Sequence, residues 1–211
     1  PPRSWSRLST RRRKQAEVVR VCFSEGYSAL LPDGHRFPMG KFAGLHRVLL
    51  SEGLIAQTDV ETPEQASWED LGLVHGADFL FSLRHGLLDR SAERRMGLPW
   101  TREIVRRSRL ATQGTVLSAH YAAKDGMAAN LAGGMHHGFP DHSEGFCLLN
   151  DVAVAVRILQ RDGVARRAIL IDLDVHQGNG CAAIFEGDSE VFTFSMHGAS
   201  NYPFKKEMSD L

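Results

Sequence analysis

The stretch Ala168–Gly180, "AILIDLDVHQGNG", decides how this chain folds. Its consecutive apolar residues predict a strand buried on both faces, as a central parallel strand is. Strand side chains alternate, so Asp172, Asp174 and His176 are expected on one side at the strand's carboxyl end. Two acids placed there repel each other and are poorly solvated unless a cation or an imidazolium sits among them. A divalent metal resolves this for Asp174 and His176, because carboxylate oxygen and imidazole nitrogen both bind zinc. Asp172, one step deeper, is instead placed to hydrogen-bond a histidine and orient its ring. Taken alone, D-x-D-x-H equally describes a hydrogen-bonded loop with acids at helix N-termini.

Outward from that strand, the pattern alternates. Residues 18–23, "VVRVCF", predict a short buried strand, followed by a Gly/Pro/Asp-rich loop. Phe42, Leu45, Val48 and Leu49 fall at helical spacing before Gly53, and a second helix is expected over residues 77–87. The Arg-rich stretch ending in "MGLPW" reads as a loop. Leu110, Gly114, Leu117 and Tyr121 line one face of a helix ending near Gly126. "MAANLAGG" then reads as a short strand, "MHHGFPDHSEGF" as a loop, and residues 150–161 as a helix that Gly163 stops. A last strand is expected over residues 191–194. Strands alternating with helices predict an α/β fold, three layers with a mostly parallel sheet. Ligands bind such sheets beyond the carboxyl ends of the strands, where the polar cluster falls.

With 211 residues, 43% of them hydrophobic, the chain can bury one sizeable core, so one domain is expected over residues 18–211. No apolar run reaches the roughly 18 residues of a membrane helix, which predicts a soluble protein with no membrane partner. Cys22, Cys147 and Cys181 form no CxxC pair, which argues against a disulfide framework or a cysteine zinc knuckle and fits a reducing compartment. Residues 1–14, "PPRSWSRLSTRRRK", carry six Arg/Lys and no acid, leaving 19 basic against 25 acidic residues elsewhere. A basic tail on an acidic body is unlike a nucleic-acid-binding domain and weakly favours cationic substrates. The leader, residues 1–17, reads either as a disordered segment or as an organellar transit-peptide remnant.

A second cluster, "GGMHHG", sets His136 and His137 side by side after two glycines, where adjacent imidazoles are placed to move protons. Such a pair on its own also describes a solvated loop. Its position one βα unit before the D-x-D-x-H end favours catalysis.

"GGMHHGFPDHSEGFCLLNDVAVA" followed by "LIDLDVHQGNG" and "FSMH" closely resembles the zinc-dependent histone deacetylase family, which includes acetoin-utilisation proteins and acetylpolyamine amidohydrolases. "HQGNG" and "LPW" are most similar to its class IV branch and bacterial relatives. The resemblance covers roughly residues 18–210 and implies an arginase/deacetylase-like fold, incomplete, as the N-terminal two thirds of such a domain.

It further implies that Asp174 and His176 are two ligands of one catalytic zinc and that His137 is the general base. His136 is then its charge-stabilising partner, paired with Asp172. Asn179 stands behind His137 where some relatives carry Asp, which implies a less basic ring. Gly145 and Phe146 match the wall of a narrow acyl-lysine tunnel, although Phe146 alone reads as a core residue. Asp172, Asp174, His176, Ser195 and Met196 match a structural monovalent-cation site, usually potassium. The family's third zinc ligand, an Asp, and its oxyanion-stabilising Tyr lie downstream of anything present here. Asp141, His142 and His197 are assigned to loops, and Tyr202 to packing.

The implied activity is removal of an acyl group from acyl-lysine on a protein, or from an acylated polyamine, with no organic cofactor. The rivals are a non-catalytic acyl-lysine binder and an arginase-like ureohydrolase. The latter uses two manganese ions and D-x-H-x-D ligands, an order this chain lacks.

Overall fold

A computed structural model describes residues 19–211. The basic leader, and Val18 at the start of the first expected strand, lie outside the described residues. Strand β1 (Arg20–Cys22) pairs in parallel with β2 (Val60–Glu61) on one side and β3 (Ala128–Asn130) on the other. Strand β4 (Ala168–Asp172) pairs in parallel with β5 (Val191–Ser195), which sets Ser195 opposite Asp172. Every strand pair is parallel, as the alternating pattern predicts, but the described strands form two sheets and not one.

The helices are α1 (Lys41–Ser51), α2 (Trp68–Leu71), α3 (Ala77–His85), α4 (Arg90–Met96), α5 (Arg102–Asp125), α6 (Asp151–Arg161) and α7 (Asn179–Phe185). None is long and apolar enough to cross a membrane. Helix α5 begins well before Leu110, because the Thr101 hydroxyl accepts from the Ile104 N–H and caps its first turn. Helix α4 corrects the loop expected before "MGLPW". Asp89 caps its start, Gly97 ends it in the left-handed conformation, and only Met96 is buried along it. With a single buried residue it shows no apolar period, so pattern reading passes over it.

The main core packs α5 and α6 against β1 and β3, with Tyr27, Leu71, Leu83, Ile104, Leu148, Leu149 and Val154 fully enclosed. A smaller cluster, Val156, Leu170, Phe185 and Val191, joins α6 and α7 to the second ladder. Only one face of that ladder is covered. Leu170 is buried, whereas Ile169 is 69% and Ile171 67% exposed, so β4 is not buried on both faces as its apolar run predicts. Ile169, Ile171 and Phe192 all remain exposed on the uncovered face.

Candidate active site

Beyond β3 the chain turns through Gly133 and Gly134 and presents His136 and His137. This loop is fastened from beneath. The buried Asp151 carboxylate accepts from the Met135 N–H at 2.6 Å and from the Thr115 hydroxyl at 2.5 Å. From the far side, the start of α7 packs so closely that a Cβ on Gly180 would collide with the carbonyl oxygens of His136 and Gly138. The Cys181 N–H donates to the His136 carbonyl at 3.2 Å.

The two imidazoles lie 4.0 Å apart and have different partners. His136 Nδ1 is 2.6 Å from Asp172 Oδ2, and His137 Nδ1 is 2.6 Å from Asn179 Oδ1. Burial holds the His137 pKa down to about 4, and the charge of His136 adds to this, while the Asn179 hydrogen bond works the other way. Burial pushes Asp172 upward, but the hydrogen bond and charge of His136 outweigh it, leaving the pKa below the ordinary value.

The strand itself ends at Asp172, so the pleat does not carry Asp174 and His176 to one side. Two successive Asx turns do this instead. Asp172 Oδ1 accepts from the Asp174 N–H at 3.0 Å, and Asp174 Oδ1 accepts from the His176 N–H at 2.8 Å. Asp174 Oδ1 also lies 2.9 Å from His176 Nδ1. For Asp174, the His176 N–H and the nearby imidazoles outweigh burial and lower the pKa.

A cavity of about 680 Å³ is lined by His136, His137, Asp174, His176, Gly145 and Phe146. Gly145 and Phe146 both have positive φ, at 53° and 68°, a conformation that a phenylalanine rarely adopts. It is held by backbone bonds from Gly145 to the Arg95 carbonyl (3.3 Å) and from Phe146 to the Met96 carbonyl (2.8 Å). Helix α4 therefore holds the backbone of the turn that presents Phe146.

Asn179 begins α7 and is buried. Ser195 and Met196 come beside Asp172 through the β4–β5 pairing, where the Met196 N–H donates to the Asp172 carbonyl at 3.0 Å and the Ser195 hydroxyl lies 2.9 Å from His197 Nδ1. Asp141 and His142 pair with each other in a loop at 2.6 Å.

As metal donors, Asp174 and His176 fit zinc in chemistry, and they lie in direct contact, Asp174 Oδ1 2.9 Å from His176 Nδ1. They fall short in number, because catalytic zinc sites hold about three protein ligands, and no group of three candidate donors occurs among the described residues.

Three features escaped the sequence. Tyr202, expected only to pack, stands in the cavity wall with its ring 5.2 Å from that of His137. Its hydroxyl donates to Glu144 Oε1 at 2.5 Å. Glu144 was not a candidate, and its one signal was an acid adjoining "GFC". Finally, the cavity is lined by Arg36, Lys41, Arg94, Arg95 and Arg107. The acidic balance of the body thus does not extend to the cavity. Burial and the neighbouring Arg107 charge lower the Lys41 pKa.

Fold and site together define an α/β protein with two adjacent histidines and a carboxylate–imidazole couple on one cavity beyond parallel strand ends. The histidine pair, the "GFC" turn and the D-x-D-x-H end all lie within residues 35–211, which match the histone deacetylase domain, and the chain belongs to the histone deacetylase family. It is 46% identical over 191 residues to an uncharacterized protein of Picosynechococcus, covering 90% of this chain and 64% of that one. It is 34% identical to the acetoin utilization protein AcuC of Bacillus subtilis (75% of this chain, 45% of that one) and 30% identical to histone deacetylase 2 of Arabidopsis thaliana (81% and 46%). The crystal structure of a histone deacetylase homologue from Aquifex aeolicus superposes with a TM-score of 0.76 at 28% identity, covering 90% of this chain and 54% of that one. The three-layer αβα class follows from that likeness, and the cyanobacterial match fits the bacterial-like branch. The chain spans about half to two thirds of the length of these curated relatives.

Proposed function

We propose that the protein is a zinc-dependent amide hydrolase that removes an acyl group from acyl-lysine on a protein or from a small acylated amine such as a polyamine. The observation that carries this reading is the division of labour between the two imidazoles. His136 is backed by a carboxylate and His137 by a neutral amide, 4.0 Å apart on the cavity that also holds Asp174 and His176. Zinc bound by Asp174 and His176, with a donor that no described residue supplies, would contribute Lewis-acid polarisation of the scissile carbonyl.

The chain's own residues account for the proton. With Nδ1 bonded to the Asn179 carbonyl oxygen, His137 keeps Nε2 free to take a proton and later return it to the leaving amine. His136, paired with Asp172 at 2.6 Å, is placed to stabilise negative charge developing nearby. Phe146 and Tyr202 form walls suited to the methylene stem of a lysine. A potassium ion at Asp172, Asp174, His176, Ser195 and Met196 belongs to the same reading, and elemental analysis of the purified protein checks it.

The experiment is performed on the whole protein. His137→Ala should abolish hydrolysis of an acetyl-lysine peptide while about one zinc per chain is retained, and Asp174→Ala should lose the metal. Unchanged turnover in the first variant removes His137 from the mechanism. The two-donor count favours one second reading, a non-catalytic acyl-lysine binder, which peptide binding without turnover in the wild type would identify.

A further inference from the structure

We infer that Glu144 is a positioning residue that fixes the tautomer of His137 through Asn179 and, with the same oxygen, anchors the Tyr202 wall. Asn179 Nδ2 donates to Glu144 Oε1 at 3.3 Å, and the Tyr202 hydroxyl donates to that same atom at 2.5 Å. A carboxylate only accepts, so it requires the NH₂ end of the Asn179 amide to face it. The amide oxygen is then turned toward His137, 2.6 Å from Nδ1. An amide oxygen also only accepts, so His137 must carry its proton on Nδ1 and leave Nε2 bare.

Without Glu144 the Asn179 amide is free to flip, and a flipped amide would offer a donor to Nδ1 and move the proton to Nε2. A carboxylate two hydrogen bonds removed therefore sets the tautomer through the Asn179 amide.

Other features of Glu144 agree. It is only 18% exposed, and its Oε2 lies 3.4 Å from His142 Nε2. It opens the tight turn that carries Gly145 and Phe146, closed by two backbone bonds with Cys147 at 3.1 and 2.8 Å. Burial, reinforced by the Glu144 bond, raises the Tyr202 pKa, so the phenol stays a donor. One carboxylate thus ties the proton-transfer ring to the substrate wall.

This assignment rests on the proposed role of His137, but its test does not need turnover. Long-range proton–nitrogen correlation of the imidazoles in the ¹⁵N-labelled whole protein, at about pH 8 where a histidine is neutral, reads the tautomer directly. His137 should show a protonated Nδ1 and a bare Nε2. Glu144→Gln, whose amide both donates and accepts, should lose that single-tautomer signature, and kcat on an acetyl-lysine peptide should fall by roughly tenfold, part of what a general base contributes. Tyr202→Phe should keep the wild-type tautomer. Should Glu144→Gln not fold, Glu144→Asp, which draws the charge back by one methylene, is read in the same way. A wild-type His137 protonated on Nε2, or an unaltered tautomer in the folded Glu144 variant, overturns the inference. An inactive wild type with the Nδ1 tautomer removes the proposed function and leaves the positioning intact.

Discussion

Asp172 receives the Nδ1 proton of His136 at 2.6 Å while its other oxygen caps the turn to Asp174 at 3.0 Å. One side chain therefore ends the strand and orients the imidazole. Asp172→Asn retains the shape and removes the charge. It should destabilise the fold by about 1–3 kcal/mol, the scale of a charge-assisted hydrogen bond. Urea unfolding at neutral pH checks this, and an unchanged midpoint would contradict the pairing.

His75 makes stability depend on acid. It is enclosed, its Nδ1 donating to the Phe139 carbonyl at 2.9 Å and its Nε2 accepting from the Asn150 N–H at 3.1 Å. Burial holds its pKa down to about 4. The unfolded imidazole takes a proton near pH 6.5, so between about pH 6.5 and 4 the unfolded state binds more protons and stability falls with falling pH. The loss from this group reaches about 3 kcal/mol at the acid end, and His137 adds in the same direction. His75→Asn should be less stable at about pH 8 but show a visibly flatter decline toward pH 5. Parallel pH profiles for the two proteins would show the idea wrong.

Gly180 sits where α7 meets the histidine loop, and a Cβ there has no room between two backbone carbonyls. Backbone cannot yield as a side-chain tip does. Gly180→Ala should therefore cost about 1–3 kcal/mol or more and displace the His136–Asp172 pair. Thermal unfolding measures the first effect and the imidazole nitrogen spectra the second. A variant as stable as wild type would mean the approach is looser.

The β4–β5 sheet leaves one face open. Ile169 and Ile171 lie opposite Phe192 and Phe194, and the resulting apolar patch is largely uncovered. Patches of this kind drive association. The chain of residues 1–211 should self-associate with rising concentration, and Ile169→Lys with Ile171→Lys should weaken this while shifting stability by about 0.5 kcal/mol or less per site, as exposed substitutions do. Sedimentation velocity decides. A wild type that stays monomeric at high concentration would show that this face does not attract.

The local pattern identified β1, β4 and β5 by their apolar runs, α1, α3 and α6 by apolar residues at helical spacing, and β3 by its place between two turn-rich segments. Helix α4 was illegible for the opposite reason: its caps, Asp89 and Gly97, are legible, but one buried residue makes no period. The exposure of β4 was illegible too. An apolar run reports what a strand is able to bury, and only its neighbours determine how much it does bury.

The sequence by itself singled out the candidate groups, His136, His137, Asp172, Asp174 and His176 by residue type and short spacing and Asn179 by family resemblance, all of them features that are local along the chain. Tertiary structure alone decided how they are coupled. Glu144 meets Asn179 across 35 residues and Tyr202 across 58, and the basic residues of the cavity gather from separated segments. Contacts closed by folding over such distances leave no period or spacing to read, because either partner alone is an ordinary surface acid or ring until the core brings them together.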